Sequence, residues 1–202
     1  MVEVRPATAD EMILAFLQAD IESPSDRGKL YATSIARIGA DKATLIGIHA
    51  DPINPHQNNI RRCLLGENRG YGWGRYLFVD FPDDTIWRLV TVTPTEVKGF
   101  QYANRLENWA RVSGGTRLVG DAMKNLDQEQ NAPINGNVLG IAARVRKGEQ
   151  FPALIAAQLT GTDELVLIEG HNRATAYAFT GLPDRIQVFI GSSLQMGGWL
   201  FF

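Results

Sequence analysis

A single cysteine, Cys63, excludes an internal disulfide framework and suits a reducing compartment. No apolar run reaches the length of a membrane span, and the opening Met1-Val2-Glu3-Val4-Arg5-Pro6 lacks a basic stretch followed by an apolar one. No membrane partner is therefore expected, and the expected location is cytoplasmic. Neither sign of charge is in excess: 20 Lys and Arg stand against 22 Asp and Glu, a net charge of −2. There is no global field to attract nucleic acid, so any such contact must be local. His49, His56 and Cys63 are metal-ligand types without the paired short spacings of a zinc site, so no metal centre is assigned. A Gly-x-Ser-x-Gly elbow and a P-loop are both missing, which leaves serine-hydrolase and Walker-type chemistry without support.

What is present is a chain of 202 residues, 45% hydrophobic, enough for one real core or for a domain with an extension. Its patterning predicts a mixed α/β protein, with a partly helical extension over residues 1–80 and a small mixed sheet with packed helices over residues 81–202. Thr8 or Asp10 caps a helix through Met12, Ile13, Phe16 and Leu17. Ser23-Pro24-Ser25-Asp26 breaks the chain before a second helix that ends at Gly39. Residues 43–49 and 76–80 read as strands, 51–56 as an extended loop, and 86–93 as a half-buried strand. A helix over 137–147 precedes a hairpin made of 151–159 and 165–168, and a last strand follows at 185–190. Met196 to Phe202 is apolar enough to dock as an edge segment or to make a homo-oligomer contact.

The densest stretch begins at Leu165. Leu165-Val166-Leu167-Ile168 is a short continuous apolar run, suited to a strand covered on both faces. Gly170 allows a tight turn and close approach to the main chain. From His171 to Thr180 a helix follows, with Ala174, Tyr177 and Ala178 on one face; Gly181 caps it and Pro183 stops it. The start of that helix has N–H groups without partners and the positive end of the dipole, a place for phosphate. Arg173 offers a charged fork there, and His171 and Asn172 add polar atoms. An ordinary strand-turn-helix unit, with Arg173 paired to a carboxylate on the surface, explains the same pattern.

Ile168-Glu169-Gly170-His171-Asn172-Arg173-Ala174-Thr175-Ala176 resembles the signature turn of the ParB/sulfiredoxin superfamily, which includes the ParB N-terminal domain, sulfiredoxin and the ParB-like free serine kinases. The resemblance covers the C-terminal half, and its Gly-His-x-Arg form is closest to the kinases. It implies a nucleoside triphosphate, ATP or CTP with Mg²⁺, cradled from Gly170 to Arg173, and hydrolysis or phosphoryl transfer as the activity. Sulfiredoxin chemistry needs a cysteine where His171 stands and is rejected. Partition-type ParB proteins carry a second arginine in the turn and then a further nucleotide motif and a helix-turn-helix domain; the stretch after Gly181 is too short to hold them.

In the kinase-like members an acidic side chain acts as base, which makes Glu96 a candidate by its place along the chain; a solvated loop carboxylate is the plainer reading. Glu169 adjoins the turn and is the second catalytic candidate, through Mg²⁺ or a ribose hydroxyl, or else it caps nearby N–H groups. A non-catalytic module touching DNA or a protein is the alternative. Residues 60–76 hold four arginines, one acid and three aromatics, and Arg69, Tyr71, Trp73 and Arg75 are the candidate nucleic-acid contacts. A glycine-rich surface loop with solvated charges accounts for them as well. Nuclease activity, sometimes attached to ParB-like proteins, has no metal-ligand cluster behind it here.

Overall fold

The computed structural model describes residues 1–21 and 26–202, so the break expected at Ser23-Pro24-Ser25 lies outside the described residues. In chain order the elements are β1 (Val2–Ala7), α1 (Ala9–Ile21), α2 (Asp26–Arg37), α3 (Lys42–Ile46), α4 (Pro55–Arg69), a 3₁₀ turn (Tyr76–Phe78), β2 (Ile86–Val92), α5 (Pro94–Val97) and β3 (Gln101–Tyr102). Then come α6 (Glu107–Val112), α7 (Val119–Ala122), α8 (Ala132–Arg146), β4 (Leu154–Leu159), β5 (Leu165–Glu169), α9 (His171–Thr180) and β6 (Ile186–Ser193). The strands form one mixed sheet in the order β1-β2-β6-β4-β5-β3. Neighbours are antiparallel except β4 beside β6 and β3 beside β5. The chain is the mixed α/β protein its patterning predicts.

Both faces of the sheet are covered. On one, Met12, Phe16 and Leu17 of α1 and Leu64 and Leu65 of α4 pack against Trp87, Leu89, Ile155, Val166, Ile168 and Phe189. On the other, Val138, Ala142 and Val145 of α8 and Ala174 and Ala178 of α9 pack against Val90, Val92, Leu154, Leu165, Leu167 and Val188. Because β4 and β5 lie between two helical layers, alternate residues enter opposite cores, and continuous apolar runs are what such strands require. Each fully enclosed Leu, Ile, Val or Phe stabilises by about 1.5–3 kcal/mol. Residues on both sides of position 80 share the first core, and β1 forms the edge of the sheet beside β2.

Several local readings change for identifiable reasons. Residues 43–49 were expected as a strand, but Asp41 accepts from the Ala43 and Thr44 N–H groups at 3.3 and 2.9 Å and starts α3 instead. Helix α4 opens inside the expected loop, with the Asn54 side chain accepting from His56 and Gln57 N–H and Pro55 at the first position. Residues 76–78 form a 3₁₀ turn, and no strand runs over 76–80. Tyr76 and Asp80 sit at φ +53° and +58°, and the C-terminal segment takes the carbonyls: Trp199 Nε1 donates to Leu77 O at 2.8 Å and Leu200 N–H to Val79 O at 3.4 Å. Helix α8 begins five residues before the expected start because Pro133 fits a first turn that needs no N–H. Met196 and Trp199 are buried in the chain's own core.

Arg61, one of the basic residues of the 60–76 stretch, is fully buried. It donates to Leu45 O at 2.6 Å, Asp51 O at 2.9 Å, Asn58 Oδ1 at 2.6 Å, Gln57 Oε1 at 2.6 Å and Thr44 O at 3.4 Å. Burial pushes its pKa down. Its work is to hold the connection between α3 and α4, with every donor satisfied inside the protein.

Candidate functional site

Strand β5 carries the chain from the middle of both cores to Gly170, which turns it into α9 at φ +99°. A Cβ there would lie 2.4 Å from Leu154 Cδ2 and 3.2 Å from Arg173 Nη2, so glycine is required by conformation and by space. Ala174 N–H returns to Gly170 O at 2.8 Å, and Gly181 closes the helix at φ +69° as the sequence leads one to expect. No side chain caps the start of α9. Since β3 and β5 run parallel with Tyr102 beside Leu167, the chain leaves both strands at the same end.

Arg173 is not held out toward solvent. Its guanidinium is buried, donates to Pro152 O and, at 3.3 Å, to Ala153 O, and makes a close ion pair with Glu169. The pairing foreseen as the plain explanation is thus present, but inside the protein rather than at the surface. It ties the entry of β4 to the end of β5. Burial pushes the Glu169 carboxyl up, with Asp20 adding to the effect and the charges of Arg173 and Arg69 opposing it.

Around this pair lies a polar seam between the turn and the N-terminal helices. Arg69 clasps Asp20 through both carboxylate oxygens, with Nε to Oδ2 at 2.7 Å, and lies 5.5 Å from the Phe16 ring centroid. Tyr31 is 1% exposed. Its hydroxyl feels the charges of Asp20 and Glu169 and has no hydrogen-bond partner of normal geometry. His171 sits against Trp109 and Tyr102, with ring centroids 5.6 and 5.9 Å away. Burial, then the positive charges of Arg69 and Arg173, lowers its pKa to about 3, so the ring is neutral across physiological pH. His171 Nε2 and Asn172 Oδ1 are enclosed and have no partner.

Glu96 lies at the start of α5, which packs on α9. It closes a capping box with Thr93, accepting from the Thr93 N–H at 2.8 Å while its own N–H reaches Thr93 Oγ1 at 3.3 Å, and it pairs closely with the N-terminal ammonium of Met1. The four expected nucleic-acid contacts divide. Arg69 is spent on Asp20, and Tyr71 packs edge-on against Phe78 at 5.0 Å; Trp73 and Arg75 are exposed. Sequence reasoning missed Asp20, Tyr31, Tyr102 and Trp109, which reach the turn from four separate elements and share no local pattern with it.

Two adjoining clefts, of about 400 and 270 Å³, lie on another side of α1. The smaller is lined in part by Pro152 and Ala153, whose carbonyls hold Arg173. Among the described residues no group of three or more His, Cys, Asp or Glu is placed to hold a metal ion, and no helix is long and apolar enough to cross a membrane. Fold and site together define a mixed α/β protein with an uncapped strand-glycine-helix turn backed by a buried charge network. Compared with protein-family models, curated proteins and solved structures, the chain matches none.

Proposed function

We propose that this chain is a ParB/sulfiredoxin-like nucleotide-binding protein that takes the phosphates of a nucleoside triphosphate at the first turn of α9. The observation that carries the reading is the uncapped start of α9, bordered by two enclosed polar atoms, His171 Nε2 and Asn172 Oδ1, without a protein partner. The first-turn N–H groups and the positive end of the helix dipole favour an anion. Neutral His171 donates from Nε2–H, and rotation of the Asn172 amide turns its nitrogen to the same oxygens. Arg69 and Arg173 stay on Asp20 and Glu169 and brace the turn that presents these groups. Mg²⁺ would accompany the triphosphate. Glu96 and Glu169 are both paired with cations and keep structural roles in this reading, which rests on binding and assigns neither a catalytic step.

The test is thermal denaturation with ATP, CTP, GTP and ADP, with and without Mg²⁺, on the wild type and on Asn172→Ala. Ligand at a hundred times its dissociation constant stabilises by about 2.7 kcal/mol. A nucleotide-dependent rise in Tm that is lost in the variant is the expected result. No rise with any nucleotide in the wild type would reject the reading.

A further inference from the structure

Beyond the α9 turn, the loop after α4 is built to a fixed shape and carries side chains that it leaves about half exposed. Gly70 ends α4 at φ +86°, and a Cβ there would meet the Arg75 carbonyl oxygen at 1.8 Å. Trp73 N–H donates to Gly70 O at 2.9 Å, and a Cβ on Gly66 would lie 2.8 Å from the Trp73 ring, so only glycine leaves room for the indole against α4. Phe78 N–H closes the loop on Arg75 O at 3.1 Å. While this backbone is held, Trp73 and Tyr76 stay 51% and 58% exposed. Between them the Arg75 guanidinium lies 4.5 Å from the Trp73 ring centroid and 5.0 Å from that of Tyr76. Among the described residues no carboxylate pairs with Arg75, whereas Arg37, Arg62 and Arg69 of the same helical layer pair with Glu67, Asp10 and Asp20. Tyr76 holds φ +53°, an uncommon conformation for an aromatic residue and one that keeps its ring beside Arg75.

We propose that Trp73, Arg75 and Tyr76 form a binding site for single-stranded nucleic acid, in which unpaired bases stack on the exposed rings and Arg75 takes a backbone phosphate. Aromatic faces accept any base, and a guanidinium among them adds charge and cation–π attraction. Duplex does not fit: its bases are already stacked, and its binding rests on many phosphate contacts, where this loop offers Arg75, which has no carboxylate partner among the described residues, on a chain of net charge −2. An acidic peptide would use the charge and leave the rings uncovered. The site is separate from the α9 turn and stands whether or not a nucleotide binds there.

The experiment is fluorescence anisotropy with labelled single strands of oligothymidine and oligoadenosine, and a duplex of equal length, at salt between about 50 and 200 mM. Both single strands are expected to bind, with a shallow salt dependence, and the duplex to bind at least about tenfold more weakly. Arg75→Gln removes the charge and keeps most of the stem; Tyr76→Asn removes the ring with a residue suited to positive φ. Each should weaken single-strand binding about tenfold or more, with circular dichroism showing both variants folded. Absence of saturable single-strand binding by the wild type, equal binding of duplex, or unchanged binding in both variants would overturn the proposal.

Discussion

Two glycine turns in this chain each lead to an arginine, and the fold treats the two arginines in opposite ways. At Gly170 the chain enters a helix, and Arg173 is drawn inside to Glu169 and the carbonyls of Pro152 and Ala153. At Gly70 the chain leaves a helix, and Arg75 remains in solvent between two rings with no described carboxylate beside it. The turn that looks like a phosphate motif has spent its arginine on structure. Arginine in a glycine turn is therefore a question about partners: one whose donors are satisfied internally holds the fold together, and one without a charged partner is open to a ligand.

The largest break of that comparison is Arg173→Ala. It leaves Glu169 enclosed without its cation, a change that costs about 3–5 kcal/mol, or roughly 10 °C in Tm for a chain of this size. Adding Glu169→Gln removes the orphaned charge and should recover part of the loss; a double variant no more stable than the single one in thermal denaturation would show that the pair is not coupled. Next in size is a pH effect at His171. The unfolded ring takes a proton near 6.5, while the folded ring stays neutral down to about 3. Its contribution to stability is thus whole above pH 6.5 and is lost as pH falls toward 3, by at most about 1.4 kcal/mol per pH unit. Glu169 acts with the opposite sign: its raised carboxyl favours the fold at low pH, and that contribution is lost as pH rises through the folded value. His171→Phe keeps a ring against Tyr102 and Trp109 without the titration, so urea midpoints measured from neutral to acid pH should fall less steeply than in the wild type. Smallest is Arg75→Gln, expected to leave the unfolding free energy within about 0.5 kcal/mol. A loss of several times that in urea denaturation would put Arg75 in the fold and erase the contrast.

The part of the fold around β5, Gly170 and α9 was legible because its signals are local: a doubly buried run, a glycine, a small-residue helix face and a glycine cap all lie within one short stretch. The surroundings of Arg173 were not, since the carbonyls that hold it belong to residues about twenty positions upstream. Nor was the Asp20 to Arg69 clasp, which joins α1 to the end of α4. At residues 43–49 the apolar run misled, because the Asp41 cap before it was the stronger signal. The left-handed backbone of Tyr76 carries no local warning: its neighbours are fixed by tertiary bonds to residues 199 and 200.

The order of the strands has a consequence for how the chain is made. β6, the last described strand to be synthesised, lies in the middle of the sheet and joins the β1–β2 pair to the β4–β5–β3 group. Until it leaves the ribosome the two groups have no strand between them, and β2 and β4 each present an edge of unpaired backbone N–H and C=O groups. Pairing over such separations is slow, and exposed edges of this kind invite association with other chains. Nascent chains stalled before β6 are thus expected to associate more readily than the finished chain.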